Sequence, residues 1–135
     1  MSGNVARGPW GCELYAVEIR THDWPPLVAW YREALGLRVL LRVVEDEYAL
    51  LAAGASRVAI VGRRDPIPVS SRMQLIFEVD DLESTCHRLR EFAAEVSESS
   101  EHGEGFWQAT VIDPDGNRLR LIQWPQRREI EGDER

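Results

Sequence analysis

The sequence predicts an α+β domain made of two copies of one strand-helix-strands unit that face each other across a shared cleft. Three observations predict it. The chain repeats itself: Ala16-Val-Glu-Ile19-Arg-Thr-His-Asp23 and Gln74-Leu-Ile-Phe77-Glu-Val-Asp-Asp81 each run seven residues to an aspartate, and they lie 58 residues apart (16 to 74, 23 to 81). Self-similarity at a period of roughly 50 residues marks a duplicated supersecondary unit. Both segments alternate apolar and polar residues with period two, the pattern of a half-buried strand. Each aspartate is then followed by apolar residues at three- and four-residue spacing, the stripe of an amphipathic helix.

The elements follow in order. Residues 1–12 carry Gly and Pro and read as an N-terminal arm. Residues 13–20 form the first strand, with Tyr15, Val17 and Ile19 on one face and Leu14, Ala16, Glu18 and Arg20 on the other. Asp23 suits an N-cap, and Pro25 and Pro26 suit a first helical turn. Leu27, Trp30, Tyr31, Ala34 and Leu35 make the apolar stripe, and Gly36 is a natural stop. Strands are expected at about 37–44, 47–52 and 57–62, with Gly54 in the turn between the last two. Residues 63–71, with Pro66 and Pro68, read as a linker between a first module (13–62) and a second (72–124).

The second module repeats the order. A strand over 72–79 shows Leu75, Phe77 and Val79 on one face, and Asp81 caps a helix carrying Leu82, Cys86, Leu89 and Phe92. Strands are expected near 94–98, 105–112 and 118–124. The polar stretch 98–105, with two glycines, predicts a mobile loop. Asp113-Pro-Asp-Gly-Asn117 predicts a tight turn. It has the acids of a calcium loop but lacks the later ligands and the bidentate glutamate. The charged tail, 125–135, is expected to fray.

Composition narrows the function classes. A net charge of −7 argues against nucleic acid, whose phosphates demand a basic face. No run of about 18 apolar residues exists, so no membrane span or membrane partner is expected. The N-terminus lacks a basic region followed by an apolar stretch, so no secretory signal is expected. Two cysteines, Cys12 and Cys86, give no disulfide framework, and a reducing, cytoplasmic setting is the expectation. Every cationic side chain is arginine, which excludes Schiff-base and lysine-base chemistry. His22, His87 and His102 match no ligand spacing, and neither a GxSxG element nor a Cys-His dyad is visible.

Asp23 followed by Trp30-Tyr31 and Leu35-Gly36, then Phe77-Glu-Val-Asp-Asp81-Leu82, then the closing Asp113–Asn117 turn with Leu119 and Leu121 form an ordered set. This set resembles the vicinal oxygen chelate superfamily, which includes glyoxalase I, extradiol dioxygenases and bleomycin-resistance proteins. The resemblance covers about residues 13–124. It implies two βαβββ modules whose curled mixed sheet surrounds a cleft, and pairing into a homodimer. It also implies four metal-ligand positions, which fall here on Ala16, near Ala59, on Gln74 and on Arg120. Alanine has no donor atom, arginine is a fixed cation, and glutamine offers one neutral oxygen. A catalytic zinc or iron wants about three His or carboxylate ligands. No metal, no other cofactor and no catalytic residue is therefore expected at that site.

By strand parity the cleft face carries Ala16, Glu18, Arg20, Ala59, Gln74, Ile76, Glu78, Arg118, Arg120 and Ile122. Unpaired charges in a half-buried cup are costly, so Glu18 and Glu78 are expected to pair with Arg20, Arg118 or Arg120. Two readings stay open. Either the charges only satisfy one another, or an arginine, foremost Arg120, receives an anionic or carbonyl group through a forked hydrogen bond. Trp107, beside the glycine-containing loop, suits either stacking on a planar ligand or a dimer seam. Tyr48 is a further wall candidate. The candidate ligand-binding set is thus Glu18, Arg20, Tyr48, Gln74, Glu78, Trp107, Arg118 and Arg120. The expected function is metal-free binding of an aromatic or amphipathic small molecule of unspecified identity. The rivals are a divergent glyoxalase- or dioxygenase-like enzyme (lyase, isomerase or oxidoreductase) and a module that only dimerises. The enzyme would use a relocated metal, or metal-free acid-base chemistry at Glu18 or Glu78.

Overall fold

The computed structural model describes residues 9–68, 73–103 and 105–125. Most of the arm, residues 69–71 of the linker, residue 72 of the strand expected at 72–79, residue 104 and the tail from 126 lie outside them. The chain divides into two compact units, Met1–Ile67 and Pro68–Arg135. Each is a mixed sheet with one helix on it, an α+β arrangement.

The first unit runs β1 (Val17–Thr21), α1 (Trp24–Glu33), β2 (Arg38–Val43), β3 (Tyr48–Ala53) and β4 (Ser56–Gly62). Its sheet order is β1-β4-β3-β2, with β1 and β4 parallel and the other pairs antiparallel. Ala49, Leu51, Val58 and Ile60 alternate onto one face, and all are buried. Trp24, Leu27, Val28 and Tyr31 of α1 are buried too, and α1 packs on β4. The Trp24 indole donates to the Ile60 carbonyl at 2.9 Å. A buried indole N–H without a partner would be costly, so this bond fixes where the helix starts. Gly54, at φ +63°, takes the first central position of the β3–β4 hairpin, which favours Gly. Gly62 donates its N–H to the Glu47 carbonyl at 2.8 Å, and a Cβ at position 62 would run into the Glu47 side chain.

The second unit repeats the plan: β5 (Leu75–Glu78), α2 (Leu82–Glu91), β6 (Glu95–Val96), β7 (Ser100–Glu101), β8 (Trp107–Ile112) and β9 (Arg118–Gln123). The order β5-β9-β8-β6 mirrors the first sheet, again with the outer pair β5 and β9 parallel. Both helices begin 58 residues apart (24 to 82), so the sequence repeat is a structural one. Ala109, Val111, Leu119 and Leu121 are buried on one face, as are Leu82, Cys86 and Leu89 of α2, which packs on β8 and β9. The Leu82 N–H donates to the Gln123 side-chain oxygen at 2.6 Å, which satisfies one of the orphan amides of the first turn.

Several elements differ from expectation; among them the strand expected over 72–79 is Leu75–Glu78. The first strand starts at Val17, not 13. The Tyr15 carbonyl is taken by the Arg57 guanidinium at 2.7 Å, and Leu14 and Tyr15 are exposed, so nothing extends the ladder there. Asp23 sits at the N-cap of α1 but its carboxylate caps nothing; its own N–H donates to the Thr21 hydroxyl at 2.9 Å. The strand expected at 94–98 is only two residues long. The stretch 98–105, expected as a plain loop, contains β7 paired to β8, and the His102 ring stacks on Phe106 at 4.4 Å. Among the described residues, no helix is long and apolar enough to cross a membrane.

The caps of the two helices give a paired prediction. Asp81 accepts from the Ser84 N–H at 3.1 Å, whereas Asp23 accepts no cap bond. Asp81→Ala should lower unfolding free energy by about 1 kcal/mol and Asp23→Ala by a few tenths at most, roughly the value of an N-cap bond present or missing. Urea denaturation of the two variants tests this. In the same assay Leu51→Ala, at a fully buried position, should cost about 2–5 kcal/mol.

Candidate functional site

Each sheet has a face turned away from its helix, and these two faces carry the candidate side chains. On the first sheet, Glu18 and Arg20 stand in register with Ala59 and Val61, and Leu50 and Tyr48 lie opposite the same pair. Leu50, Ala59 and Val61 form a buried apolar cluster, and Ala16 and Tyr48 pack against it. Tyr48 therefore belongs to this patch. Glu18 meets Arg20 at 3.1 Å and Arg63 at 3.9 Å. All three are substantially exposed, so these pairs contribute little to stability. Arg20 was among the expected partners of Glu18; Arg63 was not.

The second sheet presents a different surface. Arg120 is opposite Thr110 on β8 and Ile76 on β5, and Glu78 is in register with Ile122. Gln108, Arg118 and the residue before β5, Gln74, share this face. A groove of about 320 Å³ opens here. Gln74, Gln108, Thr110, Arg118 and Arg120 line it from the sheet, and Ser97, Glu98 and Ser100 from the segment after β6. None of the described residues lining it is aromatic.

Arg120 is the most informative group in the groove. Its Nη1 donates to Gln108 Oε1 at 3.1 Å, while its Nε is buried with no hydrogen-bond partner among the described residues. An unsatisfied buried donor costs about 1–3 kcal/mol. The contact also orients Gln108. Arginine can only donate, so the amide must turn its oxygen to Arg120, and its NH₂ remains for another partner.

The structure separates the candidate residues into two sets. Glu18, Arg20 and Tyr48 belong to the first unit; Gln74, Glu78, Arg118 and Arg120 belong to the second. Trp107, expected on the cleft wall, shares its face with Ala109 and Val111, opposite to Gln108 and Thr110, and it does not line the groove. Gln108 and Thr110 were missed by the sequence reasoning. Their signal was present in Trp107–Ile112, where polar and apolar residues alternate through Gln108, Ala109, Thr110 and Val111.

The residues at the family's metal positions do not fit a metal. Ala16 and Ala59 lie against an apolar cluster, and Arg120 brings a positive charge where a carboxylate ligand would stand. Among the described residues, no three His, Cys, Asp or Glu side chains form a metal-holding group. The Asp113 carboxylate, in the turn with a faint calcium-loop look, accepts from the Asp115 and Asn117 N–H groups and from the Asn117 amide at 2.8–2.9 Å. Its oxygens are committed to shaping the turn.

A family model described as a glyoxalase-like domain matches residues 16–122. The chain belongs to this family, and with it to the vicinal oxygen chelate superfamily. Its relative YraH, an uncharacterized protein of Bacillus subtilis (strain 168), is 25% identical over 126 residues, 82% of this chain and 98% of that one. TnmS3, an antibiotic binding protein from Streptomyces sp. CB03234, superposes with a TM-score of 0.70 at 22% identity, over 83% of this chain and 95% of its own. Lactoylglutathione lyase from Agrobacterium tumefaciens gives 0.66 at 18% identity, over 82% and 92%. At such identities the solved structures share the fold, and fold alone does not fix activity.

Cys86 is buried. Burial pushes its thiol above the ordinary 9.0; Arg90 pulls the other way and Glu98 adds to the rise. A thiol whose folded pKa is raised favours the folded state while neutral. That contribution is complete below 9.0 and is lost as pH climbs through the raised folded value. Cys86 should therefore resist alkylation by iodoacetamide in the native protein and react on unfolding, whereas the exposed Cys12 reacts at once. Mass mapping of the adducts at pH 8 checks this.

Proposed function

We propose that this protein is a metal-independent small-molecule binder that receives an anionic or carbonyl group of its ligand at Arg120. The observation that carries the proposal is the half-buried guanidinium itself, held by Gln108, with an unsatisfied buried Nε beside an open groove. It occupies a position where metal-dependent relatives keep a carboxylate ligand. Replacing a ligand by a fixed cation reverses the charge the site can attract, from a metal ion to an anion. A binding role needs no nucleophile or base. The likeness to an antibiotic binding protein supports binding as a role for this fold. The likeness to a lyase has no matching donor set here.

The test is a thermal-shift and calorimetric screen of small carboxylates, amides and ketones, run with and without EDTA. Binding should survive the chelator. Arg120→Lys keeps the charge but loses the planar fork, and should weaken binding by about 10- to 100-fold, the worth of roughly 1.5–3 kcal/mol for hydrogen bonds to a charged group. Binding that vanishes with EDTA and returns with zinc would overturn the proposal.

A further inference from the structure

The lining of the second unit's groove says more about what it takes than that an arginine is present. Its donors are unusually many. Arg118 has no ion pair or hydrogen bond among the described residues, and Arg120 has its Nε unsatisfied. The Gln108 NH₂ is turned away from Arg120 by the contact at 3.1 Å. Thr110 adds a hydroxyl from the adjacent position of the same ladder. Among the described residues one carboxylate, Glu98, lines the groove beside the two arginines, a formal balance of one positive charge. The Ser97 hydroxyl is already committed, accepting from the Thr110 N–H at 2.9 Å and donating to the Glu98 carbonyl at 3.1 Å. That pair of bonds fixes the segment after β6 against β8, so Glu98 is held at the groove edge by the sheet.

A ligand satisfying such a surface must itself be rich in acceptors, carry net negative charge, and own at least one hydroxyl proton for Glu98. A flat aromatic acid meets only the charge requirement. It would leave the half-buried Gln108 and Thr110 desolvated without partners, which is costly for polar groups. The apolar residues of this face, Ile76, Ile112 and Ile122, lie outside the lining. Trp107, the one aromatic expected to stack on a ring, faces the other way.

We propose that this groove takes a polyoxygenated monoanion, a carboxylate bearing several hydroxyl or carbonyl oxygens in the manner of a sugar acid, and not a planar aromatic. The carboxylate lies on the two arginines, the neighbouring oxygens accept from Gln108 and Thr110, and a hydroxyl donates to Glu98. The inference rests on the binding role of Arg120 proposed above and narrows its ligand.

The experiment is calorimetry of the full chain with three probes in the presence of EDTA: gluconate, 2-naphthoate and inorganic phosphate. Gluconate should bind at least tenfold more tightly than either of the others. Gln108→Glu keeps an oxygen for Arg120 but removes the free NH₂, and should weaken gluconate at least tenfold while leaving the melting temperature close to that of the parent. Tighter binding of 2-naphthoate, lost in Arg120→Lys but indifferent to Gln108→Glu, would overturn this inference and leave the binding role standing. Phosphate binding as tightly as gluconate would overturn it too, because charge alone would then be read. Heat from none of the three probes would overturn this inference, and the broader screen above would then decide the binding role separately.

Discussion

Strand register is the constraint on which both units depend. In each sheet one face is buried against a helix, and only every second residue can supply it. A slip of one position on β9 would bring Arg118 and Arg120 against α2 and expel Leu119 and Leu121, which are buried. Register is strongly specified wherever one face is packed in this way. The outward residues are then placed without any interaction of their own. Arg120 stands beside Thr110 because Leu119 and Leu121 are held. The polar surface is thus positioned by the apolar one, and its geometry is paid for on the opposite side of the sheet.

This arrangement explains how the outward faces can vary while the fold keeps its shape. The metal positions of the family lie on outward faces, where alternation demands nothing of them. On the first sheet the outward centre has become apolar, around Leu50, Ala59 and Val61. On the second it has become polar and cationic. Neither change touches the residues that face α1 or α2. The superfamily assignment, which rests on the whole span 16–122, is consistent with wide divergence at the site.

Much of the fold was legible because periodicity reports burial. The 58-residue spacing, both helices and the outward placement of Glu18, Arg20, Glu78, Arg118 and Arg120 follow from alternation and helical stripes, and the structure has them. What was not legible depended on contacts between distant residues. Nothing in the sequence says that the Arg57 side chain takes the Tyr15 carbonyl and ends the ladder at Val17. Asp23 and Asp81 occupy equivalent positions, yet only one caps, because Pro25 and Pro26 leave no N–H in the first turn of α1 for the Asp23 carboxylate, whereas Ser84 donates to Asp81. Trp107 was judged by its nearness to the loop, and its parity along β8 sets it on the face of Ala109 and Val111. The same parity, followed along β8, would have found Gln108 and Thr110.

The close approach of Gly62 to Glu47 has an evolutionary side. Position 62 has no room for even a methyl group while a long side chain fills the neighbouring turn. A substitution at either site is then fitted to the other, and the two should drift together through descent. Where a homologue has gained bulk at the first, glycine is expected at the second, because even the Cβ at position 47 lies 2.8 Å from the added methyl. The end of β4 and the turn residue that leads into β3 therefore evolve as a single locus, although they are 15 positions apart in the chain (47 to 62).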